Sequence, residues 1–216
     1  MNPSVKKVVL AVAACSAFAS ATSAMAGVGS PTIPTSQKVS ALTMHVIGTI
    51  TNTTCDIRPY TTAGADATTL NMGVMTPGEV SQPVSFFLKP VNGCTDGITS
   101  GSTSADITWE SNGLTEHGIS NMYGTAKNVH VELSPENGSG NSAAEIDTSA
   151  SSVADGGLIK TGAQTVVYNK IATPPSPGPA TPLPFKYNVK FASDTKGQNM
   201  EAGTVDTDIS YTVAYK

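Results

Sequence analysis

Charged residues, cysteines and histidines are scarce in this chain. Charged residues make up only 13% of 216 positions, and there are three cysteines and three scattered histidines. No spacing typical of a metal site occurs, and no phosphate-binding glycine loop or Gly-x-Ser-x-Gly nucleophile motif is present. We therefore expect no catalytic residues, no metal and no cofactor. The sequence predicts that the protein is not an enzyme.

Basic residues are outnumbered by acidic ones. Twelve Lys and Arg stand against 16 Asp and Glu, for a formal net charge of −4, and no basic patch is present. This composition disfavours nucleic acid and anionic membrane surfaces as partners. Asp194, Glu201, Asp206 and Asp208 form a loosely acidic region whose spacing matches no EF-hand loop, so we interpret them as solvated carboxylates rather than calcium ligands.

The first 26 residues have the composition of a targeting segment. Lys6 and Lys7 precede an apolar stretch that leads to Ala24-Met25-Ala26, where small residues occupy the −3 and −1 positions of a signal peptidase site. We predict a secretory signal peptide over residues 1–26. A second interpretation is a lipoprotein site with Cys15 acylated, although its apolar region would be very short and a conventional site lies downstream.

Removal of a signal peptide leaves two cysteines, Cys55 and Cys94. Two cysteines in an exported protein predict one disulfide bond. Such a bond would close a loop of about 40 residues and would stabilise the fold by about 4 kcal/mol in the chain-entropy model.

Long helix-forming runs are missing, and period-two alternation takes their place. Short alternating segments are separated by stretches rich in Gly, Pro, Ser and Asn, which predicts an all-β antiparallel sandwich in one domain. The Pro-rich stretch 173–184 is expected to be a loop, and 134–157 a loop or a weak edge strand. The predicted strands are 42–50, 84–88, 105–110, 128–133, 165–168, 185–191 and 203–216.

The last of these segments has the most regular alternation. Its polar face includes Asp206 and Asp208. In segment 105–110, Trp109 lies on the same face as Ile107 and is expected in the core. His45 and His130 fall on polar faces of their strands. The second face of 203–216 comprises Val205, Thr207, Ile209, Tyr211, Val213 and Tyr215.

Two regions resemble the structural subunits of chaperone–usher fimbriae. Gly48 lies seven residues before Cys55, as in the first strand of these pilins, and "PVSFFLKPVNGC" is similar to their second strand, which ends at the second cysteine, Cys94. At the other end, Tyr215 is next to last and Gly203 is fourteenth from the end, as in the family. The resemblance covers nearly all of the chain after the signal peptide.

The resemblance implies an incomplete immunoglobulin-like sandwich that lacks its last strand and is completed by a donor strand from another chain, a form of β-strand addition. Residues 27–47 would be the N-terminal extension that acts as donor strand, and 48–216 the pilin domain. Burial of the donor residues would contribute about 5–9 kcal/mol. The donor residues would be Leu42, Met44 and Val46. The alternative is that these residues form an ordinary first strand packed within its own domain, because alternation does not show whose core a strand enters. The residues that border the groove would be Gly203, Val205, Ile209, Tyr211, Val213 and Tyr215.

The extension departs from the family at one position. Family members usually carry Gly where this chain has Leu42, so the register of the donor residues stays open by two positions, with Ser40 or Ala41 as alternative small residues.

The resemblance also implies the partners and the location. These are a periplasmic chaperone anchored at the Lys216 carboxylate, an outer-membrane usher, and other pilin subunits in a homopolymer or heteropolymer. The protein would be exported through the periplasm to the cell surface as a structural subunit of a fimbria that supports adhesion. An alternative is a single-domain fimbrial adhesin that binds a host glycan or protein receptor through loops 111–124 or 134–157.

Overall fold

The regular secondary structure of the described residues consists of β-strands, with no helix. The computed structural model describes the backbone of residues 39–50 and the complete residues 57–77, 79–91, 103–174, 180–196 and 198–216, all within one structural unit, Pro34–Lys216. The strands are β1 (Val39–Ile50), β2 (Ile57–Thr61), β3 (Thr69–Asn71), β4 (Val84–Pro90), β5 (Ala105–Glu110), β6 (Leu114–Thr115), β7 (Gly118–Ser120), β8 (His130–Glu136), β9 (Glu145–Ile146), β10 (Thr165–Lys170), β11 (Phe185–Ala192) and β12 (Gly203–Tyr215).

The strands form two six-stranded sheets. The first has the order β3-β1-β12-β5-β10-β9 and the second the order β2-β4-β11-β8-β7-β6. Neighbouring strands are antiparallel, with the exception of the parallel pair β1 and β12. The predicted all-β class is confirmed, and the two sheets are consistent with the predicted sandwich.

The core lies where the apolar faces of the alternating strands meet. Trp109 of β5 is fully buried and contacts Tyr187 of β11 and Tyr211 of β12, with ring centroids 4.9 and 5.3 Å apart. Burial raises the pKa of both Tyr168 and Tyr187, so their phenols stay neutral in the core. The prediction that Trp109 is a core residue is confirmed.

All seven segments with clear alternation are strands in the structure. The shorter strands β2, β3, β6 and β7 were not predicted. Pro59 lies inside β2, at one end of the second sheet, where a missing backbone donor is tolerated. β9 is the weak edge strand expected within 134–157. In the Pro-rich stretch, the described residues 173–174 and 180–184 belong to no strand.

One histidine on the polar face of its strand is buried. His130 is on the outward side of β8, as its alternation predicts, but it is only 4% exposed. Its Nδ1 lies 2.8 Å from Asp194 Oδ1, and its Nε2 lies 3.7 Å from Glu132 Oε1. The predicted polar-face position of His130 is confirmed, and its ring is buried because the loop after β11, which carries Asp194, lies against it.

The outward face of the second sheet carries cross-strand ion pairs. Lys186 of β11 donates to Glu136 of β8, which also accepts a 2.7 Å hydrogen bond from Asn188. These bonds, that of Lys186 first, lower the pKa of Glu136. Because the pKa is lower in the folded state, the ionised carboxylate of Glu136 stabilises the fold at pH values above its unfolded-state pKa of about 4.3. This contribution is lost as the pH falls through the folded-state pKa.

We expect Lys186→Met to lower the free energy of unfolding at pH 7 by about 0.2–1 kcal/mol, the range for a solvent-accessible pair. The difference from the unsubstituted protein should shrink as Glu136 becomes protonated at acid pH. Urea unfolding between pH 3 and pH 7 measures it. Lys196→Met, at an exposed loop position, is the control and should show no such pH dependence.

Candidate functional site

The strand position beside β12 is filled by β1 of the same chain. The two strands run parallel, and their register extends from Val39 opposite Gly203 to Ile50 opposite Val213. The register is irregular between Val39 and Leu42, where an advance of three residues along β1 corresponds to two residues along β12, Gly203 to Val205. Such an insertion is a β-bulge, and it falls at Ser40 and Ala41. The bulge therefore lies where the sequence left the register open.

The predicted donor residues and the predicted groove residues meet in this register. Leu42 is opposite Val205 and Val46 is opposite Ile209, while Met44 is opposite Thr207. The three partners on β12 are all buried. The sequence predicted an open groove beside this strand, whereas the structure has β1 there. Pairing satisfies the backbone groups that an open edge of β12 would leave without partners.

β1 is held unevenly on its two sides. β12 pairs with it along almost its whole length, but on the other side β3 pairs only with Thr43, His45 and the residue between them. Among the described residues, the remainder of that side of β1 has no strand partner. Among the described residues, the ladder with β12 is therefore the longer of the two backbone ladders of β1.

The other side of β12 has two different partners. β5 pairs with residues 210–215, and the loop 121–126 bonds to the backbone of residues 204–206. The backbone amides of Met122 and Tyr123 donate to Asp206 O at 3.1 and 2.9 Å. Asn121 acts like a further backbone unit, since its Oδ1 accepts from Asp206 N at 2.8 Å and its Nδ2 donates to Thr204 O at 3.1 Å. β12 is thus bonded on both sides.

The close approach of this loop explains two glycines. A Cβ at Gly203 would lie 2.3 Å from the backbone nitrogen of Ala126, and a Cβ at Gly124 would lie 2.1 Å from Thr204 O. Both distances are far below van der Waals contact with backbone atoms, which have little freedom to move. The resemblance pointed to Gly203 without giving this reason, and sequence reasoning did not identify Gly124.

Tyr211 links the two sheets. Its side chain is buried, and its hydroxyl donates a 2.8 Å hydrogen bond to the backbone oxygen of Ile57 in β2. The bond fixes β12 of the first sheet to the edge strand of the second. Tyr215, predicted on the same face, is half-buried.

We expect Tyr211→Phe to lower the free energy of unfolding by about 1–3 kcal/mol, because it leaves the buried carbonyl of Ile57 without this donor. Thermal and urea unfolding measure the loss. Tyr123→Phe, which removes a hydroxyl from a side chain that is 59% exposed, is the matched control and should change stability little. Equal effects of the two substitutions would contradict the role assigned to the Tyr211 hydroxyl.

Lys216 forms hydrogen bonds with the segment before β5 and an ion pair with β5 itself. Its backbone oxygen accepts from the amides of Thr103 and Ser104 at 3.0 and 3.3 Å, and its amine pairs with Asp106. The residue expected to anchor a chaperone is therefore engaged within its own chain here.

Several predicted features lie outside the described residues. These are the signal peptide 1–26, the first part of the extension, 27–38, and both cysteines, Cys55 and Cys94. Within the described ranges, no group of three or more His, Cys, Asp or Glu side chains could hold a metal ion. Nor does that part of the chain contain a helix long and apolar enough to cross a membrane.

The protein is a two-sheet all-β protein in which β1 pairs in parallel with β12. Comparison with protein-family models gives no match, and comparison with curated proteins gives none either.

Proposed function

We propose that the chain is a structural subunit of a bacterial fimbria assembled by the chaperone–usher pathway through donor-strand exchange. The supporting observation is the register of β1 beside β12, in which Leu42, Met44 and Val46 are opposite buried residues. In the proposal, the pilin domain is an incomplete immunoglobulin-like sandwich. The part of the extension that lies in β1, residues 39–47, fills the vacant position in the isolated chain, and the same segment of a neighbour fills it in the fibre.

The uneven support of β1 favours such an exchange. Leaving the sheet requires β1 to break its ladder with β12 and a three-residue contact with β3. An identical segment from a neighbour would restore the same bonds, so the exchange is close to balanced in enthalpy, as in domain swapping. No nucleotide is needed, because one set of packing contacts replaces another.

The remaining partners would act one after another during assembly. A periplasmic chaperone protects the edge of β12 before assembly, since an unpaired edge invites aggregation. An outer-membrane usher then brings the subunits together, and the fibre stands on the cell surface, where it supports adhesion. A disulfide between Cys55 and Cys94 would lock the domain after export.

Cross-linking between two populations of the chain tests the exchange. One population carries Thr43→Cys and the other Asp206→Cys, because these positions are register partners. We expect a short thiol-reactive linker to join the two populations into heterodimers whose yield rises with protein concentration. A population with Lys196→Cys, on an exposed loop, replaces the second partner as control. Heterodimers no more abundant than in that control, at any concentration, would overturn the proposal.

A second candidate function is a single-domain adhesin for a host glycan or protein. It is favoured by the exposure of Tyr123 in the loop that follows β7, because an exposed aromatic ring is a common contact for a ligand. Binding of purified protein to a glycan array, with Tyr123→Ala as the test variant, separates the two functions. A signal lost in that variant would support the adhesin.

A further inference from the structure

Thr207 is a fully buried polar residue on the inward face of β12. It lies between Val205 and Ile209 on that face, and its hydroxyl oxygen has no hydrogen-bond partner among the described residues. A buried hydroxyl of this kind has given up its hydrogen bonds to water and has gained none in return. The loss lowers the folding equilibrium constant by a factor of about 5 or more. Most buried polar groups in folded proteins are paired, so the Thr207 hydroxyl indicates a contact that is still to be made.

Position 44 of β1 is the place from which such a partner can come. Residue 44 is the register partner of Thr207. Register partners on neighbouring strands stand side by side on one face of the sheet, so position 44 lies on the inward face next to Thr207. This chain has Met44 there, and a thioether is only a weak hydrogen-bond acceptor. The chain's own segment therefore offers the Thr207 hydroxyl no strong partner.

Two other register pairs in the protein form the kind of contact that Thr207 could make. Thr108 of β5 and Thr165 of β10 are register partners, and their hydroxyl oxygens lie 3.0 Å apart. Ser85 of β4 donates a 2.6 Å hydrogen bond to Oδ1 of its register partner Asn188 in β11. A hydroxyl can thus bond to a polar side chain opposite it on the next strand. A threonine at position 44 would give Thr207 the same kind of partner.

We propose that the Thr207 hydroxyl selects the donor segment that binds beside β12. The preferred donor is an extended segment of a different subunit, with threonine or serine opposite Thr207 and apolar residues opposite Val205 and Ile209. Such a segment forms the same backbone ladder as residues 39–47 and adds one buried hydrogen bond. This inference rests on the proposed function, and it identifies the neighbour in the fibre as a subunit other than a second copy of this chain.

A double-mutant cycle within the full chain measures the contact. Threonine and valine have nearly the same shape, so Met44→Thr and Met44→Val are each compared with and without Thr207→Val. We expect the ratio of the unfolding constants, Met44→Val over Met44→Thr, to be at least about fivefold larger with Thr207 than with Thr207→Val. Urea unfolding measures all four chains. Equal ratios in the two backgrounds would overturn the proposal.

The substitution Thr207→Val alone gives a second measurement. It removes a buried hydroxyl without a partner and keeps the shape of the side chain. We therefore expect it to lower the unfolding constant of the otherwise unsubstituted chain by a factor of about 5. A higher unfolding constant would mean that the hydroxyl already has a partner, and it would overturn the proposal.

Peptides test the donor as a segment of another molecule. Labelled peptides of residues 39–47 carry Met44→Thr, Met44→Val or no substitution, and fluorescence anisotropy measures their binding to the purified full chain. β1 of the chain competes equally with each peptide, so the ratios of the dissociation constants do not depend on it. We expect the Met44→Thr peptide to bind at least about fivefold more tightly than the Met44→Val peptide, and more tightly than the unsubstituted one. The preference over Met44→Val should be lost on the Thr207→Val chain, and a scrambled peptide should not bind.

This proposal and the proposed exchange fail in different measurements. Binding without a preference for the Met44→Thr peptide would overturn the selection and leave the exchange intact. Tightest binding of the unsubstituted peptide would overturn the proposed neighbour and assign the position to a second copy of this chain. If no peptide binds, the selected donor is wrong, and the yield of heterodimers between the Thr43→Cys and Asp206→Cys populations decides whether the exchange fails with it.

Discussion

Replacing Gly203 by valine should destabilise the fold by at least about 3 kcal/mol, at the upper end of the range for overpacking. The added Cβ would overlap the backbone of Ala126, at 2.3 Å from its nitrogen. Relief requires the loop 121–126 to move away from β12, which would break the bonds from Met122, Tyr123 and Ala126 to the strand. Urea unfolding measures the loss, and amide hydrogen exchange should show faster opening at Asp206.

A substitution farther along the same strand is the control for Gly203→Val. Ala214 is exposed on the outward side of β12, so Ala214→Val adds two methyl groups to the strand without a clash. We expect its effect to be within about 0.5 kcal/mol, as for most surface changes. If Gly203→Val were as well tolerated as this control, the close packing of the loop against β12 would be refuted.

Deleting residues 27–44 should have the second large effect. The deletion removes the ladder from Val39 opposite Gly203 to Met44 opposite Thr207. At the usual net value per hydrogen bond, the loss is about 2–5 kcal/mol, and it uncovers an edge next to buried residues. We expect a chain that aggregates when purified alone, that still binds the proposed chaperone, and that cannot join the next subunit.

A synthetic peptide of residues 27–47 provides the sharpest readout for this deletion. If the strand position is vacant, the peptide should restore solubility and slow hydrogen exchange along β12, whereas a scrambled peptide of equal composition should not. Fibres of normal length from the deleted chain would contradict the donor role of the segment. A stable, soluble deleted chain that ignores the peptide would contradict it as well.

β11 and β12 could be predicted because each has one buried face and one face that is more exposed. β11 and β12 alternate over eight or more residues, and burial in the structure follows that alternation. β6 and β7 have two and three residues, too few for a period to be visible. β2 contains Pro59, which normally argues against a strand and is tolerated here at the end of a sheet.

The partner of a strand is harder to predict than the strand itself. Alternation identified residues 42–50 and 203–216 as strands, but it carries no information on which chain supplies the neighbour. The loop 121–126 was missed for a related reason. Its contribution to the site is made by backbone amides and by the amide side chain of Asn121, and these leave no periodic pattern in the sequence.

The parallel pair of β1 and β12 has a consequence for the rate of folding. Every other described strand lies between these two in the sequence, so the ladder that joins them closes the longest loop in the described chain. Contacts between residues so far apart in sequence form slowly, because the entropy of loop closure must be lost before the ladder contributes any stability. We therefore expect a refolding intermediate in which the second sheet has formed and the amides of β12 still exchange with solvent. Pulse-labelling hydrogen exchange would detect it.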